Sequence, residues 1–236
     1  MNPRWLAGVP SPVWQPAERW LIAGPVSAVD PTAFIRAHLP VVPVPGIPEI
    51  ALHKAVPSSG LATLAAQDAG FGSPYWAYYW AGGLALARFV LDHPERVAGR
   101  RVLDLGTGAG LVAIAAAKAG ARAVIAADVD RYAIAALALN AAHNQVVVTA
   151  LEGDLTQGDP PPVDIVLVGD LFYAPDLAGR VMAYLNRCRA AGIEVLIGDP
   201  WRAPLPTSRL TLLARYDVAE TGSAVTKASA VFALQA

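Results

Sequence analysis

Residues 102–110 read Val102-Leu103-Asp104-Leu105-Gly106-Thr107-Gly108-Ala109-Gly110, an apolar run passing into alternate glycines just ahead of a second apolar stretch, Leu111–Ala117. An apolar strand that enters a glycine turn and then a helix is a nucleotide-type loop. Glycine suits it because it takes φ values other residues resist, and because a missing side chain lets a ligand reach the backbone and the amides of the helix N-terminus. The spacing narrows the ligand. A dinucleotide fingerprint G-x-G-x-x-G would need glycine at 111, where Leu111 stands, whereas Gly106, Gly108 and Gly110 form G-x-G-x-G.

Outward from this loop, short β-rich runs alternate with Ala/Leu-rich helical ones, the pattern of βαβ units around a parallel sheet. Strands are expected at Arg101–Leu105, Ala123–Ala127, Val146–Leu151, Ile165–Val168 and Glu194–Ile197, and helices at Leu111–Lys118, Arg131–His143 and about Pro175–Arg189. The C-terminal stretch, apolar near Val218 and over Val231–Leu234, is expected to supply closing strands. The fold class is a doubly wound α/β domain over residues 74–236. Before it, eleven of the 20 prolines fall in the first 57 residues. Proline fixes φ and removes a donor, so residues 1–73 are expected to form a mostly extended wrap. Within it Asp30-Pro31 opens a helix turn at Phe34–His38, and Glu49–Ala55 alternates like a strand.

Composition limits the function. The 55% hydrophobic and 16% charged residues describe a chain with a core to bury. Its apolar runs are far shorter than the ~20 residues of a membrane span, and Trp20–Ala23 is cut by Gly24-Pro25 below leader length. With 18 basic against 19 acidic residues there is no global field for nucleic acid. The one cysteine, Cys188, excludes an intrachain disulfide and fits a cytoplasmic protein. His38, His53, His93 and His143 show no metal-ligand spacing and read as surface or capping residues. Arg180, Arg187 and Arg189 read as a solvated basic helix face.

With Asp104 two residues ahead, the glycine loop resembles the first motif of class I methyltransferases, in which the acid and the loop hold the methionine part of S-adenosylmethionine. Asp128 ends the next strand 22 positions after Gly106, where a carboxylate accepts from both ribose hydroxyls. Asp130 competes for that role but opens a helix and is assigned as its N-cap. Asp154 is positioned to accept from the adenine amino group, the alternative being an ordinary loop acid. Asp170-Leu171-Phe172-Tyr173 closes a strand at the ligand-binding edge, so Asp170 and Tyr173 are the catalytic candidates: an acceptor for amine hydrogens and a π-face for a cationic centre. Five aromatics crowd residues 75–80; most are expected in the core, with Trp80 packed over the cofactor.

Beyond the loop, Phe34-Ile35-Arg36-Ala37-His38, Pro48-Glu49-Ile50, Tyr75-Trp76-Ala77, Trp80-Ala81-Gly82-Gly83, Asp170-Leu171-Phe172-Tyr173 and Ile197-Gly198-Asp199-Pro200 resemble the seven-strand protein lysine methyltransferases, and most closely those of the electron transfer flavoprotein β subunit. The resemblance implies a Rossmann-like, mostly parallel seven-stranded sheet, S-adenosylmethionine as cofactor, Asp170 and Tyr173 serving the target lysine, and trimethylation of that subunit, with a ribosomal stalk protein as a further acceptor in some bacterial relatives. The competing readings are a small-molecule N-methyltransferase and an S-adenosylmethionine-binding protein without turnover.

Overall fold

The computed structural model describes residues 29–219 and 225–235. The expected extended start and the Trp20–Ala23 run lie outside these residues. Helix α1, Pro31–His38, starts as the sequence indicates, with the Asp30 side chain accepting from the Thr32 amide and proline in the first turn. Strands β1, Val41–Val44, and β2, Ile47–His53, form an antiparallel hairpin, and α2 covers Leu61–Gln67. Helix α3, Ala81–Asp92, is apolar almost all round and lies buried beneath the main sheet.

That sheet is built from β3 (Arg101–Leu105), β4 (Ala123–Asp128), β5 (Thr149–Glu152), β6 (Ile165–Gly169), β7 (Glu194–Asp199), β8 (Leu210–Val218) and β9 (Lys227–Leu234). Helices α4 (Leu111–Lys118), α5 (Arg131–His143) and α6 (Pro175–Ala190) connect them. The order is β5-β4-β3-β6-β7-β9-β8, and β9 runs antiparallel to both neighbours while the rest are parallel. Chain order reverses beside β3, so the carboxyl ends of β3, β4 and β6 open on a crevice, the place where ligands bind in open α/β sheets.

Two apolar layers flank the sheet. Leu84, Leu86, Val90, Val112 and Ile114 of α3 and α4 fill one with Ile50 and Leu52 of the hairpin, and Val181, Leu185 and Cys188 of α6 fill the other. The helix α3 reaches the sheet because four glycines meet there. A Cβ on Gly82 would stand 2.7 Å from the Gly198 carbonyl carbon, and one on Gly169 would stand 3.0 Å from the Gly83 Cα.

Three expectations change. The strand expected from Val146 begins only at Thr149, because the Val146 amide still donates to Ala141 O at the end of α5 and Val147 stands 91% exposed. His53 is no surface residue: it is 9% exposed, and its ring and amide both bond Asn140 Oδ1 at 2.8 Å. The arginines of α6 are not simply solvated. Arg187 donates to Thr156 O and Gly158 O, Arg189 donates to Ile193 O, and Arg180 lies 4.0 Å from Asp154.

Candidate active site

A cavity of about 1000 Å³ occupies the crevice, lined among others by Trp80, Gly106, Gly108, Asp128, Asp154, Asp170 and Tyr173. The glycine loop forms its floor. Gly106 at φ 71° and Gly108 at φ 52° occupy left-handed backbone, and a Cβ on Gly106 would come within 2.6 Å of the Leu171 side chain. The amides of Gly106 and Thr107 donate to Ala127 O, and that of Gly108 donates to Asp128 Oδ2 at 2.8 Å. The loop therefore presents backbone surface rather than these amides to its ligand.

Asp128 Oδ1 accepts from the Asp130 amide at 3.0 Å, so each carboxylate oxygen keeps lone-pair capacity toward the cavity. Burial raises its pKa, opposed by these amide bonds. Asp130 caps α5 by accepting from the Tyr132 amide, as its position indicated. At the far end Asp154 caps a short turn, accepting from the Thr156 amide and hydroxyl and from Gln157. Burial pushes its pKa up, but these bonds outweigh it and hold the group below the ordinary value.

Asp104 and Gly110 stand apart from the main cavity. Asp104 is buried behind the loop, where it accepts from the Thr107 hydroxyl at 2.6 Å and the Ala113 amide at 3.0 Å, and burial pushes its pKa to about 7. It braces the loop and lines only a narrow side recess. Gly110 takes φ 90° as the N-cap of α4, and a Cβ there would collide with Leu137. Phe172, which separates Leu171 from Tyr173 in the motif, is fully buried in the α6-side core.

Asp170 sits in left-handed backbone at φ 61°, a conformation that a non-glycine residue holds only when its surroundings impose it. Oδ1 accepts from the Gly82 amide at 3.0 Å and Arg202 Nη1 at 2.7 Å, and Oδ2 accepts from the Gly83 amide at 2.5 Å. Arg202 also reaches Asp199 at 3.0 Å. Burial raises the pKa of Asp170, while Arg202 and the two amides favour its charged form. Sequence reasoning missed Arg202; its place two residues after the Ile197–Pro200 block was the available signal. It also assigned no role to Tyr75 or Lys227, which line the same cavity.

The residues present fit S-adenosylmethionine. Asp128 keeps acceptor capacity, the loop offers close approach at Gly106 and Gly108, and Trp76, whose Cα and Cβ stand beside Gly108, lines the cavity and has a buried indole N–H without a hydrogen-bond partner. An orphaned buried donor of this kind suits a ligand that brings an acceptor. Fold and site together define a class I S-adenosylmethionine-dependent methyltransferase.

Known proteins agree. A sequence model described as ribosomal protein L11 methyltransferase (PrmA) matches residues 86–170. The electron transfer flavoprotein beta subunit lysine methyltransferase of Xenopus laevis is 39% identical over 201 residues, 83% of this chain and 82% of its own. That of Danio rerio is 41% identical over 66% of this chain and 61% of its own, and the Caenorhabditis elegans homolog is 34% identical over 68% and 72%. The chain belongs to the electron transfer flavoprotein beta subunit lysine methyltransferase family. In solved structures the fold recurs in a candidate RNA methyltransferase from Pyrococcus horikoshii, with TM-score 0.51 and 18% identity over 70% of this chain and 89% of that one. It recurs also in TrmN from Thermus thermophilus, with TM-score 0.50 and 23% identity over 63% and 47%.

Proposed function

We propose that this methyltransferase modifies a lysine of the electron transfer flavoprotein β subunit, adding up to three methyl groups, and that a ribosomal stalk protein is a second acceptor. The observation that carries the reading is the 39% identity extending over 82% of the Xenopus laevis enzyme. Asp128 with Gly106 and Gly108 holds the cofactor's ribose and methionine parts, Asp154 its adenine end, and Trp80 covers it. Asp104 and Gly110 contribute by fixing the loop.

Bound S-adenosylmethionine supplies a methyl group already activated by its sulfonium. The chain's own work is to present a neutral amine in line with it. A free lysine has a pKa of ~10.4 and arrives protonated, and a recess walled by Tyr173 and Trp80 favours the uncharged amine by desolvation. Three donors already engage Asp170, and Oδ2 has one lone pair left to accept an amine hydrogen and orient the nitrogen. Tyr173 closes the acceptor side.

The near-balance of charges supports a protein rather than a nucleic acid partner, and a single buried cysteine supports a cytoplasmic setting. Among the described residues no helix is long and apolar enough to cross a membrane. Incubation with tritiated S-adenosylmethionine and the flavoprotein tests the reading: label in the β-subunit band is the expected result. Label only in low-molecular-weight product would point to a small-molecule acceptor, and cofactor binding without transfer to any acceptor would point to a protein without turnover.

A further inference from the structure

Tyr75 opens the short turn Tyr75–Ala77, and its neighbour Trp76 anchors that turn by stacking on the buried Tyr132 with ring centroids 5.9 Å apart. With the Trp76 ring stacked inward on Tyr132, Tyr75 is left on the cavity wall. Its ring centroid lies 5.8 Å from that of Trp80 and 5.7 Å from that of Tyr173, in edge-on and tilted contacts. The Trp80 indole N–H donates to Tyr75 O at 2.8 Å, which fixes one ring relative to the other. Three rings from two separate segments thus form one wall beside Asp170.

Two of these rings are half uncovered: Tyr75 is 53% exposed and Tyr173 is 52% exposed. Large aromatic rings grouped and uncovered at the lip of a cavity are characteristic of a binding surface rather than a packed core. The same cavity is lined by the carboxylates of Asp128 and Asp170, the latter paired with Arg202, so the ring faces stand with acidic groups nearby. Such a lip binds the ammonium as it arrives, before it gives up its proton deeper in the recess, and methylated ammonium above all, because methyl groups weaken hydration while leaving the charge for the ring faces.

We infer that Tyr75 is an acceptor-recognition residue whose ring, with Trp80 and Tyr173, holds the side chain of the target lysine and favours its partly methylated ammonium over the unmethylated one. The inference rests on the protein-lysine reading above. The role belongs to the ring and not to the hydroxyl, and to the acceptor and not to the cofactor.

The test compares wild type, Tyr75→Phe and Tyr75→Ala in steady-state methyl transfer to the flavoprotein, unmodified or already carrying dimethyl-lysine at the target, with S-adenosylmethionine affinity measured by calorimetry. Tyr75→Ala should raise the acceptor KM about 5- to 10-fold, more for the dimethylated acceptor than for the unmodified one. Its cofactor Kd should stay within about twofold of wild type, and Tyr75→Phe should behave as wild type. An unchanged acceptor KM in Tyr75→Ala overturns the inference, as does a matching rise in cofactor Kd, which would place the ring against the cofactor. Equal damage in Tyr75→Phe overturns the ring-face role. Failure of the wild-type enzyme to modify the flavoprotein at all would instead sink the substrate reading, and the inference with it.

Discussion

In the proposed reaction Asp170 serves the acceptor and Asp128 the cofactor, and their surroundings separate the two roles. Asp170→Asn keeps the shape but removes an acceptor from the amides at the start of α3 and the charge that Arg202 faces. Transfer should fall by about 10² to 10⁴ with cofactor Kd little changed. Asp128→Asn should instead weaken cofactor binding by roughly 10- to 100-fold, since it loses charge-assisted acceptance toward the ribose. Calorimetry beside single-turnover assays checks both, and the reverse pattern would invert the assignments. Asp104 gives a pH prediction. Its folded pKa, pushed to about 7 by burial, lies above the unfolded value. The folded state therefore binds the extra proton, and the stability from this group is full below about pH 4 and lost as pH rises toward 7. Asp104→Asn should flatten that slope in denaturant titrations at pH 4–7; an unchanged slope would place the titration elsewhere. The type and position of these carboxylates were legible in sequence, because strand ends and glycine spacing fix where they emerge. Their partners were not. Arg202 lies 32 positions from Asp170, and only the packing of β7 against β6 and α3 brings the two together.

The elements whose pattern is local came through the sequence closely. Leu111–Lys118 and Arg131–His143 are helices with the expected bounds, since each is opened by a turn or capping residue the chain itself supplies. The strand at Val146 failed at its first residues because the amide there closes the preceding helix, a competition that a run of valines does not reveal. The small residues after Trp80 carried no packing signal in the sequence, whereas Gly82 and Gly83 let α3 settle onto Gly169 and Gly198. Gly82→Ala should therefore cost about 3 kcal/mol or more, or prevent folding, because the added methyl meets backbone that cannot rotate away. Thermal and denaturant melts check this, and a variant within about 0.5 kcal/mol of wild type would refute the close approach.

At the scale of the molecule, the described part of the proline-rich N-terminal region is tied into the main core. Ile50 and Leu52 pack with α3 and α4, Asn140 bonds the amide and ring of His53 and also donates to Ala109 O, and Asn144 exchanges hydrogen bonds with Ala51. Proline content told of irregular backbone but not of this docking, which depends on two asparagines about 90 residues downstream in α5 and at its end. Asn140→Ala should destabilise the chain by about 2–4 kcal/mol and speed proteolysis of the β1–β2 hairpin before the sheet. Cleavage at the wild-type rate would show that the hairpin is held by other contacts. The aromatic wall and the glycine loop line one crevice, and the account stands on what is methylated there. The most direct measurement is the intact mass of the flavoprotein β subunit after incubation with enzyme and S-adenosylmethionine, followed by fragmentation to the modified residue. The account predicts whole methyl increments on a lysine, absent with Asp170→Asn. An unchanged mass alongside measured cofactor binding, or increments on a residue other than lysine, would contradict it.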